Sequence, residues 1–223
     1  MFAIASSMEY QDLTKGLALL QAPEDTFKIL AVCTGNVCRS PAVERLLTKQ
    51  LGPTVTVSSA GTHALVGHPI SEPMATLLRR IEIQPEPFEA RLLSEQMLKE
   101  ADLILPMTRA QRGFVVELWP PAVRRAFTLR EFARLVTLVD RSAIPPGTPG
   151  DRLPAVIRLA AAERGRLRVP PHEDDVIDPF RLANNVYAKS LEQIVSAVRL
   201  IARFVVEPSI RELGMIPTRP QLS

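Results

Sequence analysis

Cysteine is scarce in this chain: Cys33 and Cys38 are the two thiols in 223 residues, five positions apart. Two thiols cannot staple a domain of this length, and no second Cys or His pair stands at zinc-ligand spacing. A disulfide scaffold and a Cys/His zinc site are therefore excluded. Long apolar runs are also missing. The longest, such as 29–33 and 17–20, are far too short to cross a bilayer. The first 27 residues carry Glu9, Asp12, Glu24 and Asp25 in place of a basic start and an apolar block. No membrane association or secretion signal is expected, and the cytoplasm is the expected compartment. A strong charge excess is lacking too. The net charge of +3 comes from 27 basic residues, 22 of them arginine, against 24 acidic ones. That surplus is too small and too dispersed to point to nucleic acid, although an anionic substrate suits it. What is present is ordinary: 46% apolar and 23% charged residues allow a full hydrophobic core and exclude wholesale disorder.

Strand and helix signals alternate. The run 27–33 is short, apolar and rich in strand formers, and Thr34-Gly35-Asn36 ends it as a turn. Ser40-Pro41 predicts a helix start, with Ser40 as N-cap, and Gly52-Pro53 a stop. Further strands are expected over 55–58, 103–105 and 126–129, with helices over 72–81, 94–101, 109–118 and 130–138. A long amphipathic helix follows Asp178-Pro179, with Val186, Leu191, Ile194, Val198 and Ile201 on its apolar stripe. This pattern predicts an α/β fold: a doubly wound, three-layer αβα arrangement around a four-stranded parallel sheet. Residues 139–172 change character. The breaker cluster 145–150 and Pro170-Pro171 bracket an Ala/Arg-rich helix over 153–164, with too few large apolar residues for a core of its own. They read as an insertion within a domain over 27–207, flanked by an N-terminal extension (1–26) and a tail (208–223).

The loop Cys33-Thr34-Gly35-Asn36-Val37-Cys38-Arg39-Ser40 joins the first strand to the first helix. In a doubly wound sheet this position is the ligand crevice. A helix N-terminus presents unpaired N–H groups to an anion. Gly35 and Asn36 both tolerate left-handed backbone angles, so successive N–H groups can curl around that anion as a nest. Arg39 adds a planar fork for two phosphate oxygens, and positive surroundings favour the reactive thiolate of Cys33. Cys-x5-Arg followed by Ser or Thr has a chance expectation of about 0.02 in a chain of this composition.

This loop, continued by Pro41 and Glu44, resembles the phosphate-binding loop of the low-molecular-weight protein tyrosine phosphatases. Ser58-Ser59-Ala60-Gly61-Thr62 and Asp178-Pro179-Phe180 match the same family, over roughly 27–118 and 174–204. The resemblance implies a flavodoxin-like fold and hydrolysis of phosphotyrosine in proteins, without metal or organic cofactor. It implies Cys33 as nucleophile, Arg39 as phosphate binder and Asp178 as general acid and base. Thr34, Gly35, Asn36, Val37, Cys38 and Ser40 would line the phosphate site, Ser40 also donating to the thiolate, with Phe180 as one aromatic wall and Ser59 locking Asn36. It further implies a reversible Cys33–Cys38 disulfide as a guard against overoxidation.

Asp178 has a second reading, as N-cap of the last helix. His63 and His68 read as rim residues, and His172 with Glu173-Asp174-Asp175 as a solvated acidic rim. Thr108 stands where the family usually carries an acidic residue. Arg181 follows Phe180 where eukaryotic members have a second tyrosine. Among rivals, arsenate reductases on this scaffold use further cysteines or a thiol cofactor. A protein-arginine phosphatase shares the loop and the Asp-Pro, with Thr typical where Val37 stands. A phosphate-binding module without turnover would lack the nucleophile or the acid, and both are present.

Overall fold

The computed structural model describes residues 26–166 and 169–206. The expected terminal extension and tail lie outside them, apart from Thr26. Strand β1 (Phe27–Cys33) sits centrally between β2 (Val55–Gly61) and β3 (Leu103–Pro106), all parallel. The register sets Cys33 beside Gly61, Ala31 beside Ser59 and Val32 beside Pro106. From Ile29 onward every residue of β1 is buried, as expected where helices cover both faces of a parallel sheet. Alternate side chains serve two apolar clusters. Ile29, Ala31 and Cys33 join the larger one, with Leu103 and Leu105. Leu30, Val32 and Ile104 join the smaller.

The larger cluster is closed by α1 (Arg39–Leu51), α2 (Glu72–Arg80), α5 (Leu129–Val136), α6 (Pro149–Ala162) and α7 (Asn184–Val205). The stripe on α7 is as anticipated: Leu191, Ile194, Val198 and Ile201 are buried, and Val186 partly so. The smaller cluster is closed by α3 (Glu95–Glu100), α4 (Arg109–Leu118) and the 3-10 turn Pro120–Arg124.

Among the described residues the sheet has three strands, not the four expected. Ala126 pairs with Ile104 through a single parallel bridge, where a strand over 126–129 was expected. Arg125 O and Phe127 N both bond to Ile104. Pairing then stops because Thr128 starts a helix: its hydroxyl accepts from Glu131 N, and the Glu131 carboxylate accepts from Thr128 N. This capping box turns the chain away one residue beyond the bridge.

Helix α6 begins at Pro149, four residues before the expected start. Thr148 and Asp151 form a second capping box, and proline is favourable at the first helical position. Its Leu153, Val156 and Ala160 enter the larger cluster, so this segment shares the main core. Just beyond α6, Arg164 reaches the end of the truncated strand. It donates to Ala126 O (2.6 Å), Val123 O (3.3 Å) and Glu131 Oε1 (2.9 Å), and stacks 3.8 Å from the Phe127 ring centre. Arg112 holds the other oxygen of Glu131 at 3.0 Å. Burial pushes the Glu131 carboxyl up. The bonds and charges of Arg164 and Arg112, with Thr128 N–H, outweigh it and leave the group below its ordinary value. Its contribution to stability is therefore present above about pH 4.5 and is lost as pH falls through the lowered value.

Arg164→Ala is expected to cost about 2–3 kcal/mol in urea unfolding at pH 7, since it strips a buried carboxylate of one partner and frees a carbonyl. The exposed Arg158→Ala on the same segment is expected to stay within about 0.5 kcal/mol of wild type. Equal values for the two would show that the clamp contributes nothing.

Candidate active site

The loop after β1 closes around the sulfur of Cys33, which is buried at the strand's end. Asn36 is the residue that bends it. Its φ is 54°, in the left-handed region, whereas Gly35 is not, so only one of the two predicted nest residues uses that freedom. Asparagine tolerates this conformation because its short polar side chain bonds locally. Here it bonds four ways around the site. Asn36 N donates to Cys33 Sγ (3.3 Å), and its Nδ2 donates to Ser40 Oγ (3.0 Å) and Ser59 Oγ (2.8 Å). Its Oδ1 accepts from Arg91 N at 2.9 Å. The Ser59 hydroxyl passes on to Glu44 Oε2 at 2.7 Å. The Ser40 hydroxyl accepts from Asn36 and donates to Cys33 Sγ, 2.9 Å away, a closer acceptor than Ala60 O at 3.5 Å. The sulfur thus faces two donors, an arrangement suited to an anionic acceptor.

Ser40 is not the N-cap that the Ser-Pro pair suggests. Helix α1 starts at Arg39, its cap position is Cys38, and no side chain caps it. The hydroxyl serves the sulfur instead. Pro41 still fits because the first-turn N–H groups have no intrahelical partner.

The loop is buttressed from behind. The carbonyls of Cys33, Thr34 and Gly35 accept from the N–H groups of Thr62, His63 and Leu65 at 2.9–3.0 Å. This contact needs a bare Gly61: a Cβ there would lie 2.5 Å from Thr34 O. Thr34 Oγ1 accepts from Gln111 Nε2 (3.0 Å), while Gln111 Oε1 accepts from Met107 N (3.1 Å). Gln111 went unnoticed in the sequence because it stands 77 residues from Thr34 with no motif around it. Thr108, at the position expected to be acidic, caps α4 by accepting from Gln111 N at 3.2 Å.

Arg39 is nearly fully buried, and its Nη2 is ion-paired to Asp178 Oδ2. Its Nη1 donates to Val176 O at 3.3 Å. The Asp178 side chain is 49% exposed, open to the cleft. It is no N-cap of the last helix: α7 starts at Asn184 with Ala183 in the cap position. The cleft over Arg39 and Asp178 has a volume of about 560 Å³ and is also lined by Thr34, His63, Gln111 and Phe114. Phe180 belongs elsewhere. With Val37, Leu65, Ile70 and Arg181 it lines a neighbouring, mostly apolar cleft of about 380 Å³. Phe180 and Asp178, two residues apart, thus face two adjoining depressions.

Cys38 turns from the cleft toward α7, its sulfur 4.0 Å from the Tyr187 hydroxyl, which in turn lies 3.4 Å from Ser71 Oγ. Both cysteines are free thiols. Burial pushes the Cys38 thiol up from 9.0 to about 11, partly offset by Tyr187. His63 sits on the rim, bonded to Thr62 Oγ1 at 3.1 Å. The acidic run after His172 is a solvated rim only in part: His172 and Glu173 are exposed, as expected, but the two aspartates are engaged. Asp174 is buried against Arg134 (2.7 Å), and Asp175 accepts from Arg109 N at the start of α4 (2.7 Å). Among the described residues no cluster of acidic, His or Cys side chains could hold a metal ion, and no helix is long and apolar enough to cross a membrane.

Comparisons with known proteins agree with this geometry. The family model for low molecular weight phosphotyrosine protein phosphatase matches residues 28–141. The low molecular weight protein-tyrosine-phosphatase Ptp of Acinetobacter johnsonii is 42% identical over 101 residues, which cover 45% of this chain and 70% of that protein. The corresponding Etp of Escherichia coli K12 is 48% identical over 92 residues, covering 41% of this chain and 62% of that one, just under two thirds. Among solved structures, the YwlE arginine phosphatase from Geobacillus stearothermophilus aligns with a TM-score of 0.59 at 26% identity, over 79% of this chain and 91% of that one.

Two outcomes follow for the loop. Asn36→Gly and Asn36→Ala both lose the side-chain bonds, but only alanine must also bear the left-handed backbone. Alanine is expected to be less stable than glycine by about 1–2 kcal/mol in urea unfolding; equal stabilities would contradict the bend. For Cys38, the unfolded chain ionises the thiol near 9 and the folded one near 11. Its contribution is intact below pH 9 and falls by about 3 kcal/mol in all toward pH 11. Unfolding titrations of wild type and Cys38→Ala should differ in slope across that window and run parallel below it.

Proposed function

Since the chain belongs to the low molecular weight phosphotyrosine protein phosphatase family, we propose that it hydrolyses phosphotyrosine in proteins through a cysteinyl-phosphate intermediate. The observation that carries this reading is one constellation: a sulfur faced by the Ser40 hydroxyl and Asn36 N–H, beside an Arg39–Asp178 pair at the floor of a cleft. Cys33 Sγ attacks phosphorus in line, so an S–P bond forms as the bond to the phenolic oxygen breaks. Arg39 and the loop N–H groups hold the equatorial oxygens, whose charge is the main feature to stabilise. The incoming dianion takes the guanidinium from Asp178; the freed carboxylate, open to the cleft, takes up a proton from solvent and delivers it to the departing phenolate. Water attacks the intermediate, Asp178 takes its proton, and the S–P bond breaks to release phosphate and the thiolate. No metal or organic cofactor enters either step.

The residues around the phosphate in this proposal are Thr34, Gly35, Asn36, Val37, Cys38 and Ser40, Cys38 through its main chain since its sulfur faces Tyr187, with Ser59 locking Asn36. Val37 and Phe180 share an apolar cleft beside the loop, which supports an aromatic phosphoester over phosphoarginine. The two apolar clusters on opposite faces of the sheet support the three-layer arrangement. The proposed domain runs over 27–207 with 139–172 as an insertion within it, and the proposed compartment is the cytoplasm.

Rates on phosphotyrosine, phosphoserine and phosphoarginine peptides test the reading. Phosphotyrosine is expected to be preferred, Cys33→Ser to abolish turnover, and Asp178→Ala to lower kcat/KM for phosphotyrosine by about 100-fold or more. Undiminished turnover by Cys33→Ser would overturn the mechanism. A preference for phosphoarginine would overturn the substrate while leaving the chemistry in place.

A further inference from the structure

The acid Asp178 lies on a segment without helix or strand, yet the backbone leading to it is tied down residue by residue. Arg130 Nη1 donates to His172 O (3.4 Å) and to Asp175 O (2.9 Å). Arg134 Nη2 donates to the buried Asp174 carboxylate at 2.7 Å. Asp175 Oδ1 accepts from Arg109 N (2.7 Å), and Val176 N donates to Met107 O (2.8 Å). Ile177 N, adjacent to the acid, donates to Gln193 Oε1 at 3.0 Å. The anchors come from α5, α4, the end of β3 and α7, so four separate elements converge on six residues.

These contacts differ in what they can do. Those to Met107 and Arg109 involve main chain and cannot be altered by substituting those side chains. Arg134 and Gln193 act through their side chains, touch neither Cys33 nor the phosphate loop, and line the groove behind the acid segment, away from the catalytic cleft. The Arg134–Asp174 pair is largely shielded, with side-chain exposures of 23% and 12%, so water competes weakly for it. Gln193 holds the N–H of Ile177, the residue immediately before Asp178. General acid catalysis requires the proton within hydrogen-bond reach of the leaving oxygen, and a displacement of about 1 Å can cost roughly 100-fold.

We propose that Arg134 and Gln193 are positioning residues for the general acid: through Asp174 and the Ile177 peptide they set where the Asp178 carboxyl stands relative to the leaving group. This rests on the phosphatase reading above. A tether that positions the acid matters in proportion to how much the leaving group needs a proton. Phenolate needs it strongly and 4-nitrophenolate little, whereas attack by Cys33 and phosphate binding by Arg39 are common to both.

The experiment compares kcat/KM for phenyl phosphate and 4-nitrophenyl phosphate in full-length wild type, Arg134→Met, Arg134→Lys and Gln193→Ala, with Asp178→Asn as reference. Arg134→Met is expected to lose about 10–100-fold on phenyl phosphate and less than about threefold on 4-nitrophenyl phosphate, the pattern of Asp178→Asn in weaker form. Arg134→Lys, which can still pair with Asp174, should recover part of the phenyl phosphate rate. Gln193→Ala leaves no charge unpaired and keeps the test open should Arg134→Met not fold; it should show the same selective loss. Equal losses on both substrates, or none on either, would overturn the positioning role while the phosphatase reading stands. A wild type inert on both substrates would overturn that reading and the positioning role with it.

Discussion

The site depends on one backbone conformation, the left-handed turn at Asn36. That turn brings a main-chain N–H onto the Cys33 sulfur and aims a side-chain amide at two hydroxyls that must then point elsewhere. Because Arg91 N occupies Oδ1, the amide has a single orientation, and the direction of every hydrogen bond around it follows. Ser59 is driven toward Glu44 and Ser40 toward the sulfur. A buried network with each member engaged is rigid, because any rotation leaves a donor or acceptor unpaired. The strain of a non-glycine left-handed residue is thus held in place by bonds that also organise the nucleophile.

The second half of the site comes from a distant part of the chain and is held by different means. The acid segment has no regular structure, so position comes from anchors on its flanks: Arg130 and Arg134, the start of α4, the end of β3, and Gln193. Arg39 joins the two halves. It is buried in the loop's helix and bonded to both Val176 O and the Asp178 carboxylate. One guanidinium therefore ties the loop to the acid until a phosphate takes its place in the proposed reaction.

Much of the fold was legible because its signals are local. The run from Ile29 to Cys33 is continuously apolar since both faces of a parallel strand are buried there, and the stripe on the last helix keeps its period over five turns. Failures arose where a short-range capping choice competed with a periodic pattern. Thr128 and Glu131 form a box that ends the fourth strand at one bridge, and Thr148 with Asp151 starts α6 inside an apparent breaker cluster. Ser40 carried an N-cap signal and answered instead to a sulfur seven residues back. Gln111, Arg134 and Gln193 carried no signal, and Asp174 read as one of a solvated acidic run. Their partners lie tens of residues away, and an isolated polar residue looks the same in sequence whether it meets solvent or a backbone amide.

The available chemistry is written in the residue order: a thiol, an arginine and a serine at fixed spacing on a strand–loop–helix, and an Asp-Pro far downstream. Those are properties of residue types and of short-range backbone geometry, which a few neighbouring residues suffice to set. Which hydroxyl faces the sulfur, that Asp178 meets Arg39 while Phe180 turns to the adjoining cleft, and what holds Asp178 in place are settled by the packing of distant elements. Each of those outcomes is a competition among donors and acceptors brought together by packing of remote elements. A hydrogen bond has no direction until all of its neighbours have been placed.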